Sequence, residues 1–391
     1  MNEEQENRVT ASPRSVIHVI CPEVGDSIGG ADLHVLDLAE AQQNLGMRVE
    51  VASIGAPEHF MAFAEERKVN VRTIRIRTAR RQLRESLAVM RGVPVVVHSH
   101  GYEADYLTAA ARSTWGPWRD VAWIATCHGL IAPDLRHQLL NVFGRLCLRQ
   151  ADRVVVVSDV TNLGGQLNRD VAYIQNGVRH FQPVDAVERE RIRKEFGAPS
   201  PEAPDHDDAV LVGYIGRFSR EKRPDLFLDM ADRVAARYSQ VRFVMAGGGP
   251  LHQEIAARAR QSRAAKVLHL TGCRRDVQRV FAALDVLVLP SDTEGTSRVV
   301  LEANQIGLPV VATAVGAVPR LIEDGVNGLL TEPGDVHSLT AAIEALVDDQ
   351  QLRMSLSHTS AEALRRGTAE QMAIDTVLVY DAVLESPTVH R

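Results

Sequence analysis

Short apolar runs rich in β-branched residues alternate with longer amphipathic stretches along nearly the whole chain. Such alternation is typical of parallel sheets whose strands are joined by crossover helices. In the first half we predict strands at 16–20, 49–54, 71–76, 93–100, 122–129 and 152–158, and in the second half at 209–216, 241–247, 267–272, 285–291 and 308–313. The two series predict an α/β protein with two Rossmann-like domains that face a central cleft.

The length of 391 residues also favours two domains, because a single hydrophobic core rarely grows to that size. We place the boundary near 177–183, so that the domains are 1–180 and 181–368. The segment 369–391 has helical spacing and is a candidate to pack back on the first domain. The Pro- and Asp-rich segment 197–209 is predicted to be a mobile surface connection.

Charge and composition exclude several classes of protein. A net charge of −6 argues against a nucleic-acid partner, which would need a basic face. The chain has no apolar run long enough to span a bilayer, and its polar, acidic start differs from a signal peptide. No CxxC pair occurs among Cys21, Cys127, Cys147 and Cys273, which we interpret as reduced core thiols of a cytosolic protein.

Three segments place polar groups at predicted strand ends, where ligands of doubly wound sheets bind. The first follows strand 16–20 and contains Gly25, Gly29 and Gly30 before an amphipathic helix. The free N–H groups of such a helix start form an anion site. Because the spacing of these glycines is not GxGxxG, an ordinary turn between strand and helix explains them as well as an anion site does.

The second segment follows strand 209–216 and carries Arg217 and Lys222, two cations suited to a diphosphate. The alternative is a solvated basic turn around Glu221.

The third segment follows strand 285–291, where Glu294 lies in a loop and Glu302 on the second turn of a helix that begins near Ser297. Carboxylates accept hydrogen bonds from the paired hydroxyls of sugars and riboses. The alternative is an exposed i,i+4 pair of Arg298 with Glu302, which leaves Glu294 unexplained.

Taken together, these segments resemble glycosyltransferase family 4, the retaining nucleotide-sugar transferases of GT-B fold. The stretch 290–319, with seven residues between its two glutamates, matches the family hallmark, and 216–225 and 28–51 match its Gly-Arg…Glu-Lys segment and its glycine loop with the following helix. The motifs ATCHG, DRVVVVS, QNGV, AGGGP and DGVNGLL follow in the family's order, so the resemblance spans about 15–345.

The resemblance implies a catalytic set of His128, Glu294, Arg217 and Lys222. Glu294 would hold hydroxyls of the donor sugar, His128 would lie against that sugar, and the two cations would bind the diphosphate. Glu302 would hold the ribose. Other implied donor-binding positions are Gly29, Gly30, Gly216, Gly247, Cys273, Arg274, Gly295, Thr296 and Ser297, and the predicted acceptor-side positions are His100, Tyr102 and Glu103.

The implied activity is transfer of a hexosyl group, with retention, from an NDP-sugar to a hydroxyl of a glycan, lipid-linked sugar or small molecule. We predict UDP as the nucleotide, a role in polysaccharide or glycoconjugate biosynthesis, and no metal or other cofactor. The first domain would bind the acceptor and the second the nucleotide-sugar. The rival interpretations are a nucleotide-sugar epimerase of the same fold and a catalytically silent partner subunit.

Four positions depart from the family pattern: Arg320 where Glu is usual, Asn304 and Gln305 where small or apolar residues are usual, and Arg223 where Gly is common. None of these substitutions removes an implied catalytic group.

Two constellations suggest metal chemistry. His98 and His100 share a strand face, and with His128 they could form a three-imidazole site. We prefer His98 inside the core and His100 with Glu103 at the acceptor side. Asp205, His206 and Asp207 resemble a metal-binding DxD, but their Pro-rich surroundings favour a solvated linker.

The run from Arg67 to Arg84 carries eight basic residues and no acidic one. Two interpretations remain open: a solvated edge strand with its helix, or a patch that draws a cytoplasmic enzyme to the inner membrane face or to a phosphate-bearing acceptor.

Overall fold

A computed structural model of the chain describes residues 14–22, 28–90, 92–114, 121–128, 144, 146–157, 171–181, 184–198, 209–357 and 367–386. The chain divides into two compact units, 1–179 with 366–391 and 180–365. Residues 199–208 of the predicted mobile segment 197–209, which include its DxD-like string, lie outside the described residues, as does Gly25.

The N-terminal unit is built on a seven-stranded parallel sheet of order β3-β2-β1-β4-β5-β6-β7. Its elements are β1 Ser15–Ile20, α1 Gly30–Asn44, β2 Arg48–Ile54, α2 Glu58–Glu66, β3 Val71–Ile74, α3 Ala79–Val89, β4 Val95–His100, α4 Tyr102–Thr114, β5 Ala122–Cys127, β6 Arg153–Val156, β7 Ala172–Tyr173 and, from the end of the chain, α13 Ala369–Leu384.

The C-terminal unit is built on a six-stranded parallel sheet of order β10-β9-β8-β11-β12-β13. Its elements are α5 Ala186–Glu195, β8 Val210–Ile215, α6 Pro224–Ala235, β9 Val241–Ala246, α7 His252–Gln261, β10 Leu268–Gly272, α8 Val277–Ala283, β11 Val286–Leu289, α9 Arg298–Gln305, β12 Val310–Thr313, α10 Val318–Leu321, β13 Gly328–Thr331, α11 Val336–Asp348 and α12 Gln350–Ser357.

Both sheets are Rossmann-like, and all eleven predicted strands are present. In each sheet the strand order reverses beside the first strand, between β1 and β4 and between β8 and β11. The short strands β7 and β13 were not predicted. β7 has two residues and β13 only two apolar residues, Leu329 and Leu330, so neither produces a clear pattern.

Helices cover both faces of the first sheet because alternate strand residues point to opposite faces. Val16 and Ile20 of β1 lie in the core under α1 and α13, whereas Ile17 and Val19 lie in the opposite core with α3 and α4. His18 lies between Val16 and Ile20 on the α1 side, and it is fully buried. A polar side chain in this position needs hydrogen-bond partners.

Helix α13 belongs to the N-terminal unit and packs on α1. Met372, Val377 and Tyr380 are almost completely buried in the core that α13 shares with α1. None of the described helices combines the length and apolar character that crossing a membrane would require.

No disulfide links the four cysteines, which all lie within the described residues. Cys127 is buried, but the interpretation of all four as core thiols is wrong for Cys273, which is exposed. Cys273 directly follows β10 in the loop before α8, where the chain leaves the sheet.

Candidate functional site

A lysine–glutamate ion pair lies at the carboxyl ends of β8 and β11. Glu294, in the loop after β11, accepts a hydrogen bond from Nζ of Lys222 through Oε2 at 2.7 Å and one from Oγ of Ser291 through Oε1 at 2.7 Å. The side chain of Glu294 is only 3% exposed, whereas that of Lys222 is 29% exposed. A buried carboxylate is tolerated when a cation and a hydroxyl satisfy it, so the pair holds Glu294 in one orientation.

Arg217 lies two residues beyond β8, and its side chain is exposed. The hydroxyl of Tyr214 donates a hydrogen bond to the backbone carbonyl of Arg217 at 2.9 Å, which stabilises the turn after β8. Burial raises the pKa of Tyr214 well above its ordinary value, so the hydroxyl stays protonated and able to donate. The predicted cations Arg217 and Lys222 therefore follow the same strand end.

Gly216 and Gly247 are in direct backbone contact. A Cβ atom on Gly247, where φ is +150°, would lie 1.8 Å from the carbonyl oxygen of Gly216. Only glycine fits this position, and it brings the turns after β8 and β9 together.

Helix α9 begins directly after Gly295, Thr296 and the buried Ser297, which is its N-cap residue. Glu302 accepts a hydrogen bond from Nη2 of Arg298 at 3.4 Å. Their side chains are only 11% and 9% exposed, so the pair is not on a solvent face as the alternative interpretation assumed.

The base-contact positions predicted after β10 differ in their surroundings. Cys273 is exposed, and its sulfur lies against Gly248. The guanidinium of Arg274 binds both carboxylate oxygens of Asp276 at 2.8 and 2.7 Å and Glu195 at 2.7 Å. These ion pairs raise the pKa of Arg274 and tie its side chain to α5 and the start of α8.

In the N-terminal unit, Gly29 is the N-cap residue of α1, which starts at Gly30. The N–H group of Gly29 donates to Oδ2 of Asp32 at 3.1 Å, and Asp32 is buried. One donor of the predicted anion site is thus already satisfied by a carboxylate of the same helix.

Five histidines form a cluster on the α1 side of the first sheet: His18, His34, His98, His100 and His128. The ring of His128, directly after β5, lies 4.6 Å from that of His34 and hydrogen-bonds through Nε2 to Nδ1 of His100 at 3.4 Å. His100 is 4% exposed and points into the cluster. His98 is inside the core, as the sequence analysis expected.

Burial lowers the pKa of His18 and of His128 to about 4. Burial and the neighbouring imidazoles lower the pKa of His98 and of His100 well below the ordinary value. These four rings are therefore neutral at pH 7. Among the described residues, ring nitrogens within 4.8 Å of one another occur in two trios, His18 with His98 and His100, and His34 with His100 and His128.

Tyr102 and Glu103, the other predicted acceptor-side residues, open helix α4 directly after His100 and Gly101. Tyr102 is partly buried and Glu103 is exposed. Burial, and secondarily Glu103, raises the pKa of the Cys21 thiol to about 12.

Five residues of this region were not predicted from the sequence: His18, His34, Gln42, Asn176 and Tyr380. His18 faces His98 across the parallel pair β1–β4, and Nδ1 of His34 hydrogen-bonds to Oδ1 of Asn176 at 2.8 Å. The available signal was a histidine within the apolar run of β1, which needs buried partners.

The basic run is partly neutralised. Arg67 is buried against Asp37 at 2.8 Å, and Arg72 binds Glu50 at 3.0 Å. Glu85 lies 3.6 Å from Arg81. Arg75 and Arg77 are exposed.

Comparison with known proteins identifies matches to both units. The model of "Glycosyltransferase Family 4" matches residues 28–180, and that of "Glycosyl transferases group 1" matches 209–349. The chain is 29% identical over 413 aligned positions to a D-inositol 3-phosphate glycosyltransferase of Mycobacterium leprae, covering 93% of this chain and 89% of the relative. A Corynebacterium urealyticum protein of the same name is 25% identical, over 75% and 72% of the two chains.

Solved structures share the fold. HepE of Anabaena in complex with UDP-glucose superimposes with a TM-score of 0.78 at 19% identity, covering 94% of this chain and 99% of HepE. Sucrose-phosphate synthase of Thermosynechococcus elongatus gives a TM-score of 0.73 at 19% identity, covering 95% and 99%. Together with the strand orders of the two sheets, these matches show that the chain has the GT-B fold and belongs to glycosyltransferase family 4.

Proposed function

We propose that the protein transfers a hexosyl group, with retention, from an NDP-sugar, UDP-sugar by preference, to a hydroxyl acceptor. The observation that carries this proposal is the Lys222–Glu294 pair with Ser291 at the ends of β8 and β11. It joins a cation suited to a diphosphate and a fixed carboxylate suited to sugar hydroxyls at the place where doubly wound sheets bind ligands. The UDP-glucose held by HepE, which shares the fold, supports UDP as the first nucleotide to test.

Lys222 and Arg217 would stabilise the departing diphosphate. When the bond between the anomeric carbon and phosphate breaks, positive charge develops on the sugar and negative charge on the leaving group. Lys222 uses one of its three N–H donors on Glu294, and the others can contact phosphate oxygens. Fixed charges of this kind are usually the largest catalytic contribution, and with them no metal ion is needed for the proposed step.

Glu294 would orient the donor sugar. Its carboxylate oxygens keep acceptor capacity beyond the bonds from Lys222 and Ser291. Glu302 would bind the ribose hydroxyls and Arg274 with Cys273 the base. The neutral His128 would lie beside the transferred sugar, and the N-terminal unit would bind the acceptor at His100, Tyr102 and Glu103.

The support for an acceptor class comes from the names of relatives and not from the geometry of the described residues. The name of the M. leprae relative specifies a phosphorylated cyclic polyol, which supports a small polyhydroxylated acceptor as the first candidate. Glycans and lipid-linked sugars remain in the test set because the exposed Arg75 and Arg77 suit phosphate-bearing acceptors or anionic membranes.

The test is a thermal-shift panel of UDP, GDP and ADP with their common sugars, followed by turnover of the stabilising donor with and without acceptors. We expect stabilisation by one nucleotide-sugar, acceptor-dependent release of its nucleotide, and undiminished activity in excess EDTA. Lys222→Ala should lower turnover by about 10²–10³-fold through the loss of one charge-stabilising donor.

The matched controls are Lys266→Ala and Glu254→Ala, which remove exposed charges from the same unit. Both should behave as wild type, whereas Lys222→Ala and Glu294→Ala should lose donor stabilisation. Donor turnover without an acceptor would favour the epimerase interpretation. Equal stabilisation of all variants would refute the site.

A further inference from the structure

The histidine cluster is organised as one continuous line of hydrogen bonds through three elements of the first sheet and two helices. From His128 the contacts are His128 Nε2 to His100 Nδ1 at 3.4 Å, His100 Nε2 to His18 Nδ1 at 2.9 Å, and His18 Nε2 to Gln42 Oε1 at 2.7 Å. The line continues from Gln42 Nε2 to Tyr380 Oη at 3.2 Å, Tyr380 Oη to His98 Nδ1 at 2.6 Å, and His98 Nε2 to Thr126 Oγ1 at 2.7 Å.

The imidazoles of this line carry no charge. His18, His98 and His100 are 0%, 1% and 4% exposed. Burial and the neighbouring imidazoles both oppose protonation of His98 and His100, and among the described residues no carboxylate is close enough to favour it. A buried cation without a counter-charge is strongly disfavoured, so each ring has one N–H group and one lone pair.

Neutral rings give the line a single direction. Gln42 accepts through Oε1, so His18 carries its proton on Nε2 and accepts on Nδ1. His100 must then donate from Nε2 and accept on Nδ1, and His128 must donate from Nε2. On the other side, the Gln42 amide donates to Tyr380, whose hydroxyl donates to His98.

We propose that Gln42 and Tyr380 are positioning residues that hold His128 in the Nε2–H tautomer, so that its Nδ1 atom carries the lone pair. Gln42 lies on α1 and Tyr380 on the C-terminal helix α13, both remote in sequence from His128. In this arrangement Oε1 of the Gln42 amide faces His18, and the NH₂ group of the amide donates to the Tyr380 hydroxyl. Reversal of that amide would reverse every donor and acceptor as far as His128.

The same hydrogen bonds disfavour a metal ion at the trio of His18, His98 and His100. The lone pairs of His18 and His100 lie on Nδ1, and each accepts an N–H from the next ring. The lone pair of His98 accepts the Tyr380 hydroxyl at 2.6 Å. Coordination by this trio would break three hydrogen bonds and leave buried donors unsatisfied.

For the proposed function, on which this part of the inference rests, the consequence is chemical selectivity. A neutral His128 with its lone pair on Nδ1 can only accept a hydrogen bond there. It would bind a ligand hydroxyl and not an anionic phosphate oxygen, which suits a position beside the sugar.

The test is nitrogen NMR of protein with ¹⁵N-labelled histidine at pH 7, in which protonated and unprotonated ring nitrogens have distinct shifts. The His128 signals are assigned by their loss in His128→Asn. We expect wild type to show Nε2 protonated and Nδ1 unprotonated, and Gln42→Leu and Tyr380→Phe to show mixed tautomers of His128. Tyr380→Phe keeps the ring and removes only the hydroxyl, and Gln43→Leu is the matched control on the same helix.

Each outcome bears on the proposal. A wild-type His128 protonated on Nδ1 or on both nitrogens, or an unchanged single tautomer in both variants, would overturn it. Mixed tautomers in the variants together with a wild type that transfers no sugar would retain the hydrogen-bond line and reject the proposed function instead.

Discussion

Arg223 stands where glycine is common in the family, and its contacts account for the tolerance of a larger residue at this position. Its φ of +49° and ψ of +50° lie in the left-handed region that favours glycine. The side chain offsets this strain by binding Asp225 and Asp292, each at 3.0 Å. Such partly exposed pairs contribute about 0–1 kcal/mol each.

We predict that Arg223→Gly leaves stability nearly unchanged, since relief of left-handed strain balances the lost ion pairs. Arg223→Ala loses the pairs and keeps the strain, so it should unfold at lower urea concentration, with a free energy of unfolding about 1 kcal/mol below that of Arg223→Gly. Equal midpoints for the two variants would contradict this account.

Gly316 supports the loop that carries Glu294. Its φ is +56°, and an added Cβ atom would lie 1.8 Å from the carbonyl oxygen of Glu294. Gly316→Ala should therefore displace Glu294 and weaken donor binding at least tenfold. In Gly334→Ala, where φ is +76° and no atom lies within 4 Å, only the backbone cost of about 1–2 kcal/mol remains. Calorimetric donor titration separates the two effects, and equal affinities would count against the contact.

The candidate site was only partly predictable from the residues. Glu294 and Lys222 were identified because they follow strand ends, although their direct contact depends on the lengths of two loops. His18 and Tyr380 were missed because nothing in the sequence states that β1 pairs with β4 in the register His18 to His98. The sequence also does not indicate that Tyr380, 282 residues after His98, contacts the same face of the sheet.

At the level of elements, α13 is part of the core of the N-terminal unit. Val377 has no exposed surface, so Val377→Ala should lower the free energy of unfolding of this unit by about 2 kcal/mol through lost burial and a residual cavity. Val187→Ala, on α5 at 81% exposure, is the matched control and should have little effect. Urea unfolding of both variants tests this, and equal losses would contradict the packing.

Most strands and helices could be predicted from the sequence, because buried parallel strands are continuous apolar runs. Most predicted strands extend one to two residues beyond the observed ends, as at 285–291 against Val286–Leu289, whereas 16–20 and 49–54 start one residue late. In 285–291 the additional residues, Asp285, Pro290 and Ser291, flank the apolar run and lie outside the observed strand. The placement of 369–391 was left open because helical spacing does not specify the partner of an apolar face.

For the whole molecule, the buried histidines determine how stability depends on pH. The folded protein keeps His18, His98, His100 and His128 neutral, with pKa values of about 4 for His18 and His128, whereas the unfolded chain protonates them near 6.5. The unfolded state therefore binds more protons below pH 6.5, and stability falls as pH falls. Asp105 acts in the opposite direction, because burial raises its pKa to about 7 and the folded state takes up one proton there. Burial also raises the pKa of Glu40, Asp375 and Asp381 in the same unit, which acts in the same direction as Asp105.

Four protons gained by the unfolded state and at least one by the folded state leave a net difference of at most about three. Each proton changes the free energy of unfolding by about 1.4 kcal/mol per pH unit, so the N-terminal unit should lose up to roughly 4 kcal/mol between pH 6 and pH 5. Urea unfolding at half-unit intervals from pH 7 to pH 5 measures this slope, and His98→Leu should reduce it because one titrating ring is gone. A stability that stays constant over this range would mean that the cluster is charged or open to water in the folded protein.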